Sequence, residues 1–558
     1  MELEESKIST ELNLALNTPI DERIKSLDLN VGYIGETDEW ELIVKHTGNL
    51  EDISIRLGFD YIVLLNGYGI IRIKSALIEE LSKSPEIIYI EKPKSLYEEA
   101  TRIINGYSAS CMGFLNRDDN RLTGKGVIVA VIDSGIYYKH PIFWNGDKSK
   151  IVQIWDQTEY GNPPTGYNLG VIYDRSDIES GNIITTDSSG HGTAVASIIA
   201  NIASQADLLI VKLDNRGSSG FPTTISLMMA IDYAIKFARE KNQPLVINLS
   251  FGNNYGDHNG NSILEDYIDS VSRVYKTSII VGTGNDGDSG KHYQFMLGNV
   301  GYKQIDFKVD DFETGINLQV WRDYSDIIDV IVRTPSGETI GPLSEFQKIA
   351  NYNLPDMNIS VIYGAPSPIN ARFETYISII PKNQYIESGI WNIFLYPKSI
   401  SNGRIDIWLP VKGSTSSDVS FLYPSEFTTL TIPSTARNVI SVGAYDSIND
   451  TYAPFSGRGY TIDGIVKPDI VAPGVNIDVA VPGGGYSVVS GTSFATPFVS
   501  AGVAIMMEDG IVNGKDPFFY GEKVKAYIIK GARKLPGYRI WPNEKLGWGA
   551  FCLEDSML

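Results

Sequence analysis

The spacing of apolar residues divides this chain into regions of two kinds. Continuous apolar runs, as in GVIVAVID (126–133), PLVINLSFG (244–252) and TSIIVGTG (277–284), predict strands buried on both faces of a parallel sheet. Between them, TTISLMMAIDYAIKFAREK (223–241) has apolar positions at helical spacing. This alternation of strand and helix predicts an α/β fold with a doubly wound parallel sheet. A further apolar run typical of a buried parallel strand occurs at ARNVISVGAYD (436–446).

Residues 293–427, called the insert below, have a different pattern. Short alternating segments such as INLQVWRDY, NISVIYG and GRIDIWLP are separated by Pro, Gly and Asn turns, which predicts an antiparallel sandwich or barrel. Its tryptophans, Trp321, Trp391 and Trp408, are residues that could stack on carbohydrate, but at strand spacing they are more often core.

The first 97 residues predict a small α/β unit. DEWELIVKH (38–46) and PEIIYIEKP (85–93) are typical strands, and YIVLLNGYGIIRI (61–73) predicts two strands around an Asn-Gly turn. SALIEELSKS (75–84) has helical periodicity. The chain is therefore divided into four predicted segments: 1–97, 98–292, the insert at 293–427, and 428–558.

Composition excludes several classes of function. The 558 residues suffice for two or three domains, and a formal net charge of −20 argues against a nucleic-acid or anionic-membrane binder. The sequence has no run of 18 apolar residues, so no membrane helix is predicted. The acidic start MELEESKIST does not have the pattern of a secretory signal, so we expect synthesis in the cytoplasm. Two cysteines far apart exclude a disulfide framework and favour two buried free thiols.

Four distant motifs supply the parts of one serine-protease site. They place Asp133 in VIVAVIDSG, His191 in SGHGTAVAS, Asn285 in VGTGNDG and Ser493 in SGTSFATPFVSAG. A serine hydroxyl needs a base to become a nucleophile, and an imidazole does this near neutral pH. A buried carboxylate would fix the imidazole tautomer, and an asparagine amide would stabilise the oxyanion. Asp133 and Asn285 follow apolar runs, whereas His191 and Ser493 begin predicted helices.

The order Asp, His, Ser resembles that of the subtilases, as do LSFG (249–252) and KPDIVAPG (467–474). The resemblance implies a subtilisin-like fold and two substrate-pairing strands, formed by Ser218, Ser219 and Gly220 and by Ser250, Phe251 and Gly252. Phe251 would add bulk at the mouth of the specificity pocket. The opposite wall would be Gly282, Thr283 and Gly284, which we expect to be open because glycine has no side chain.

Within this family the chain is most similar to the Csp proteases of spore germination. Ser493 follows Asn285 by 208 residues, far more than in simple subtilases, and the resemblance implies a jelly-roll-like β-domain in that interval. It also implies a retained N-terminal prodomain whose tail, IIYIEKPKSLYEEA (87–100), lies in the active-site cleft. Self-cleavage would then fall between Lys94 and Thr101. The alternative is an ordinary fused domain that is never cut.

The resemblance implies an endopeptidase whose partners are its own prodomain and a protein substrate, the zymogen of a cortex-lytic hydrolase. A general degradative subtilase and a non-catalytic pseudoprotease are the alternatives, and the complete triad counts against the second. A spore location would fit. No cofactor is expected: the remaining histidines lack metal-ligand spacing, and the acidic pairs at 174–177 and 310–312, although able to bind calcium, are more often simply solvated.

Overall fold

The N-terminal unit of the computed structural model, which describes residues 5–98, 101–102, 116–117, 120–217 and 220–558, is an antiparallel sheet covered by short helices. Its strands are Tyr33–Ile34, Glu39–His46, Asp60–Leu64, Tyr68–Lys74 and Ile87–Glu91, and its α-helices are Thr10–Asn17, Ile20–Arg23, Leu50–Leu57 and Ile78–Ser82. Asn66 and Gly67 turn the predicted strand pair, both with positive φ. The predicted α/β unit is confirmed.

The second unit of the protein is built on a nine-stranded sheet; this sheet and the helices that cover it are called the α/β domain below. Along its main path the order is Val171–Asp174, Ile151–Asp156, Asp207–Lys212, Ile128–Asp133, Leu245–Leu249, Thr277–Gly282, Ile440–Asp446 and Thr451–Tyr452, and Ile470–Pro473 also pairs with Ile440–Asp446. The inner pairs are parallel, and Val171–Asp174 and Thr451–Tyr452 add antiparallel edges. The predicted doubly wound parallel sheet is therefore confirmed.

Helices cover both faces of this sheet. The helices of the domain are Arg175–Ser180, His191–Ile202, Thr224–Lys241, Ile263–Val271, Thr492–Met507 and Glu522–Lys530. Two separate apolar cores result, one around His191–Ile202 and Thr492–Met507 and the other around Thr224–Lys241 and Ile263–Val271. Within the described part of the chain, Thr492–Val512 is the one helical stretch apolar and long enough to cross a membrane, yet 89% of its apolar window is buried inside the protein.

The insert is a sandwich of two antiparallel sheets around its own core. One sheet contains His292–Met296, Arg404–Trp408, Ile316–Arg322, Phe373–Pro381, Met357–Tyr363 and Ile349–Asn353, in that order. The other contains Thr339–Leu343, Ile327–Arg333, Gly389–Ser399, Lys303–Val309 and Val419–Phe421. Trp321, Trp391 and Trp408 are all buried, so the core interpretation of these tryptophans is correct.

The N-terminal unit docks on the helices of the second core. Its Lys45 and Tyr68 side chains both contact the Asp266 carboxylate on helix Ile263–Val271. The backbone N–H of Leu65 donates to Asp232 Oδ1 at 2.9 Å, on helix Thr224–Lys241. The turn of the N-terminal sheet is thus held by carboxylates on two helices.

A buried polar junction joins all three parts of the protein. Lys94 Nζ lies 3.4 Å from Glu11 Oε1 and 3.7 Å from Glu91 Oε2, and it donates to the Tyr255 carbonyl of the α/β domain at 3.3 Å. Burial raises the pKa of Glu91 to about 7, although Lys94 opposes the shift. Burial likewise raises the pKa of Glu374, contributed by the insert, well above its ordinary value.

Asp28 forms the second contact between the N-terminal unit and the insert. Its carboxylate accepts hydrogen bonds from the Tyr376 hydroxyl at 2.5 Å and from Asn317 Nδ2 at 3.1 Å. The buried Lys92 ammonium donates to the Asp28 carbonyl at 2.8 Å. Removing one member of such a buried network is costly, because its partner then stays buried without compensation.

Two minor expectations change in the structure. Cys552 is disulfide-bonded, so the expected free thiol is wrong there; its partner lies outside the described residues. Asp174 and Asp177 form a capping box on helix Arg175–Ser180, which gives this acidic pair a structural role. Over the described ranges, no group of three or more His, Cys, Asp or Glu side chains is arranged to hold a metal ion.

Candidate active site

Asp133 and His191 meet at the carboxyl edge of the parallel sheet. Asp133 ends the central strand Ile128–Asp133, and His191 begins helix His191–Ile202. The Asp133 Oδ1 to His191 Nδ1 distance is 2.7 Å, and both side chains are buried. A carboxylate at Nδ1 leaves Nε2 as the nitrogen that can exchange a proton with a substrate or nucleophile.

The charge around His191 favours its protonated form. Burial by itself would lower the pKa of His191, but the charge and hydrogen bond of Asp133, together with Glu98 and Asp187, raise it to about 9. The buried Nε2 atom has no hydrogen-bond partner among the described residues. The imidazole is therefore held by a hydrogen bond at Nδ1, while Nε2 is available to exchange a proton.

Ser493 lies in the first turn of the long central helix Thr492–Met507. Gly491 precedes the helix with φ 151°, a conformation that favours glycine. The Ser493 hydroxyl donates to the Ser250 carbonyl at 3.2 Å, so it is not bonded to His191. The first N–H groups of a helix have no intrahelical acceptor, which makes the Ser493 N–H a ready donor to an anion.

Asn285 is oriented by the residue before the serine. Its Oδ1 accepts from the Thr492 backbone N–H at 3.1 Å and from the Thr492 hydroxyl at 3.2 Å. Because the oxygen side of the amide is fixed on Thr492, the Nδ2 donors point away from it. The predicted oxyanion donor and the nucleophile are thus neighbours, although 208 residues separate them in sequence.

The chain leaving the N-terminal unit runs into this site. From here on, the name tail is used for residues 93–98 only, a part of the segment 87–100 predicted to lie in the cleft. Tyr97–Glu98 pairs antiparallel with Phe251–Gly252, with Glu98 opposite Phe251. Farther along, Thr101–Arg102 pairs with Val489 and Ser490, directly before the Ser493 helix. The described chain therefore approaches Ser493 from both sides.

A second edge holds the start of the tail. The Leu96 N–H donates to the Pro222 carbonyl at 2.8 Å, and the Thr224 N–H donates to the Lys94 carbonyl at 2.9 Å. Gly220, predicted to bind substrate, borders a cavity of about 410 Å³ beside the tail. Ser218 and Ser219 lie outside the described residues. The pairing segment, Pro222–Thr224, carries no motif and was not predicted from the sequence.

Phe251 borders the cavity of about 410 Å³ beside the tail. Its side chain is buried, and its ring lies 5.8 Å from the His191 ring, centroid to centroid. That Phe251 adds bulk at the mouth of the specificity pocket stays a prediction. The backbone of Phe251 and Gly252 is what faces the tail.

Gly282 and Gly284 are predicted to leave one pocket wall open, and a side chain from another part of the chain lies beside Gly284. Gly282 is paired within the sheet to Val442. Gly284 has φ +85°, and a Cβ on it would lie 2.3 Å from Thr431 Cγ2, so the Thr431 side chain occupies the space beside it. The Thr431 N–H also donates to the Thr283 carbonyl at 3.1 Å. Thr431 was not predicted from the sequence, because the whole insert separates it from Gly284 along the chain.

Comparisons with known proteins agree with this fold. The model described as Csp protease B prodomain matches residues 6–94, and the subtilase family model matches residues 124–302 and 418–549. Among solved structures, the Clostridium perfringens CspB protease is 34% identical with a TM-score of 0.71, covering 78% of this chain and 93% of that chain. Most strands of the insert fall between the two matched subtilase segments.

Two curated relatives are more distant. The minor extracellular protease Vpr of Bacillus subtilis (strain 168) is 23% identical over 489 residues, which is 82% of this chain and 55% of the relative. The PIII-type proteinase of Lactococcus lactis subsp. cremoris (strain SK11) is 24% identical over 466 residues, 73% of this chain and 23% of the relative. The chain thus spans only 55% and 23% of the length of these two proteins.

Proposed function

Because this chain belongs to the subtilase family of serine proteases, we propose that it is a serine endopeptidase that cleaves its own precursor. The observation that carries the proposal is the tail. It pairs with Phe251–Gly252 in front of a serine, an oriented histidine and an oriented asparagine. The segment that follows an ordinary fused domain would not be expected to pair with a strand beside these catalytic groups.

The proposed reaction uses only side chains and backbone of this chain. Rotation of the Ser493 side chain between staggered rotamers takes Oγ from the Ser250 carbonyl to His191 Nε2. Nε2 accepts the hydroxyl proton as Oγ attacks the peptide carbonyl, and Asp133 stabilises the imidazolium. The imidazolium then donates its proton to the leaving amine, giving an acyl-enzyme that water hydrolyses with His191 acting again as base.

Negative charge develops on the substrate carbonyl oxygen twice, when Ser493 attacks the peptide bond and when water attacks the acyl-enzyme. The Ser493 N–H and Asn285 Nδ2 are the proposed donors to this oxygen. Thr492 holds the amide of Asn285 in the orientation that this role needs before substrate arrives. Donors fixed in advance stabilise the transition state without a cost of reorganisation at the moment of reaction.

Asn285→Ala is expected to slow peptide cleavage by about 10²–10³-fold, because it removes one oxyanion donor while leaving the Asp133–His191 pair in place. The measurement is kcat on a chromogenic peptide. Thr492→Val serves as the matched variant: it keeps the backbone hydrogen bond but loses the hydroxyl, so its loss should be smaller. Equal activity in wild type and Asn285→Ala would contradict the assignment.

Self-cleavage is proposed to fall between Glu98 and Thr101, a narrower interval than the sequence predicted. Support comes from the two pairings that flank this interval, one with Phe251–Gly252 and one with Val489–Ser490. Residues 99 and 100 themselves lie outside the described residues. After the cut, the contacts of the tail and of the junction around Lys94 would keep the N-terminal unit docked as a prodomain.

We further propose that the physiological substrate is a protein zymogen, the pro-form of a cortex-lytic hydrolase cleaved during spore germination. The likeness to the CspB protease and the Csp-type prodomain support this choice. We place the protein in the spore after synthesis in the cytoplasm. A germination protease should make one or few cuts and keep its prodomain, whereas a degradative subtilase should digest casein broadly and shed it.

The test is digestion of casein and of a purified pro-cortex-lytic hydrolase in parallel, followed by intact mass analysis. A few defined products from the zymogen with casein left largely intact would support limited proteolysis. Broad casein digestion would favour the degradative alternative. No cleavage of either substrate, with an uncut precursor, would favour the pseudoprotease.

Thr431→Gly is expected to shift substrate preference toward larger side chains. The Thr431 side chain fills the space against Gly284 and is buried, so its removal frees space beside the predicted pocket wall. Space for one more methylene group in a pocket changes kcat/KM by about 10–200-fold in favour of the larger side chain. The measurement is kcat/KM across peptides that differ only at the residue before the cut. An unchanged preference order would show that Thr431 does not border the pocket.

A further inference from the structure

The side chain of Tyr97 is buried by residues from outside the N-terminal unit. Tyr97 and Glu98 form a short strand, in which successive side chains point to opposite faces, and Tyr97 is buried whereas Glu98 is exposed. On the buried face, Tyr97 packs in a small apolar cluster with Tyr255 and Val411. The Phe221 ring lies 4.8 Å from the Tyr97 ring, centroid to centroid, with 56° between the ring planes. The tail therefore places one aromatic side chain in an apolar space.

Three separate stretches of chain bound this space, which is named the aromatic subsite below. Tyr255 follows the strand Phe251–Gly252, with which the tail pairs. Phe221 directly precedes the segment that pairs with the other edge of the tail, and Val411 belongs to the insert. Since none of the three belongs to the N-terminal unit, the walls of the aromatic subsite do not depend on the tail for their own covalent attachment.

The part of the insert that carries Val411 is fixed on the α/β domain. The Lys412 N–H donates to Asp286 Oδ1 at 3.2 Å, directly after the predicted oxyanion donor in the chain. The side-chain amide of Asn254 joins the two parts, since its Nδ2 donates to Asp286 Oδ2 and to the Leu409 carbonyl, both at 3.2 Å. The insert thus reaches the cleft through a hydrogen-bonded contact beside the catalytic groups.

Hydrogen bonds also fix the walls individually. The Ser414 N–H and hydroxyl both donate to the Val411 carbonyl, at 3.2 and 2.7 Å, which closes a turn around Val411. The Tyr255 N–H donates to Asn253 Oδ1 at 3.0 Å, and the Tyr255 hydroxyl accepts from Asn317 Nδ2 at 3.3 Å. Walls held in this way bind a side chain without first having to be ordered.

We infer that Phe221, Tyr255 and Val411 form a substrate subsite that selects an aromatic side chain, at the position that Tyr97 takes in the tail. The inference rests on the proposed function and adds to it a sequence feature of the protein substrate. A substrate strand that pairs with Phe251–Gly252 in the register of the tail carries one of its own side chains into the aromatic subsite.

The chemistry of the walls gives the reason for the choice. An aromatic ring buries apolar area against Val411 and Tyr255 and meets the Phe221 ring in a tilted arrangement, which aromatic pairs favour. A small side chain leaves these walls uncovered, and a carboxylate would lose its hydration there. Because Val411 belongs to the insert, the insert takes part in substrate choice.

The first experiment measures kcat/KM of the full chain on peptides that copy residues 94–103, with Tyr, Phe, Ala or Asp at the position of Tyr97. The Tyr and Phe peptides should be cut with similar efficiency, the Ala peptide about 10–200-fold less efficiently, and the Asp peptide least. A cut tail that returns to the cleft lowers kcat/KM of every peptide by the same factor. The ratio between two peptides therefore does not depend on how much tail remains bound.

Variants of the walls connect this preference to the aromatic subsite. Phe221→Ala should lower the ratio of kcat/KM for the Tyr peptide to that for the Ala peptide by about 2–10-fold, because one ring contact is lost. Val411→Ala should lower the same ratio, which would assign part of the choice to the insert. Phe346→Ala is the matched control, because it removes an exposed ring of the insert that does not border the cavity of about 410 Å³, and it should leave the ratio unchanged.

Equal kcat/KM for the Tyr and Ala peptides would overturn the inference and leave the protease function standing, and so would a ratio that neither Phe221→Ala nor Val411→Ala changes. Self-cleavage after brief cell-free synthesis tests the same point if a bound tail excludes all peptides. Tyr97→Phe should then be cut at the rate of wild type and Tyr97→Ala more slowly, and equal rates for all three would overturn the inference. A wild type that cuts neither itself nor any peptide would overturn the proposed function, and this inference with it.

Discussion

Ser493→Ala is expected to stop self-cleavage completely on the laboratory timescale and to lower peptidase activity about a millionfold. The hydroxyl is the atom that would form the acyl bond, and no other group near His191 Nε2 replaces it among the described residues. The measurement is intact mass and gel analysis of purified wild type beside the variant. Wild type should appear as two co-purifying pieces cut between Glu98 and Thr101, and the variant as one full-length chain.

Ser487→Ala is the matched control for this experiment, because Ser487 is exposed on the strand that leads to the Ser493 helix. It should be processed as wild type is. If wild type and Ser493→Ala both stay full length, the N-terminal unit is not a self-cleaved prodomain. If both are cut, another protease makes the cut. Either result would remove the main support for the proposed reaction.

Lys94→Met is expected to lower the free energy of unfolding by about 3–5 kcal/mol, because it leaves buried carboxylates without their cation. Glu11 and Glu91 lie within 3.4 and 3.7 Å of the Lys94 ammonium, and all three are buried. The loss should appear as a lower thermal midpoint. It should also appear as loss of the N-terminal piece from the complex on size exclusion, because Lys94 bonds Tyr255 across the interface.

The pH dependence of this loss has a definite sign. Burial raises the pKa of Glu91 to about 7 and that of Glu374 well above its ordinary value. Groups with raised pKa values favour the folded state below their unfolded pKa and lose that contribution as pH rises through the folded pKa. The deficit of Lys94→Met should therefore be smaller at pH 5 than at pH 8, where these carboxylates are charged.

Lys83→Met is the control for the loss of one lysine. Lys83 pairs with Glu79 on a helix surface, where an ion pair contributes about 0–1 kcal/mol. An equally small effect of Lys94→Met would show that the junction around Lys94 does not hold the N-terminal unit in place. A large effect with no loss of the N-terminal piece would assign Lys94 to the stability of the unit alone.

The sequence determined which residues form the candidate site. Apolar runs ending in Asp133 and near Asn285 identified strands whose carboxyl ends share one sheet edge, and helical patterns placed His191 and Ser493 at helix starts. These are local signals, because strand and helix periodicities depend on neighbouring residues. The same local alternation predicted the sandwich of the insert and the burial of its tryptophans.

The tertiary structure alone decided what surrounds these residues. Thr431 reaches Gly284 only after the chain has passed through the insert, and Glu98 reaches Phe251 only when the N-terminal unit docks. Lys94 likewise meets Tyr255 from 161 residues away. No periodicity encodes such contacts, because they depend on how three separately packed units fit together. The sequence therefore determined the chemistry of the site, and the packing between units decided which segments surround it and how the tail reaches it.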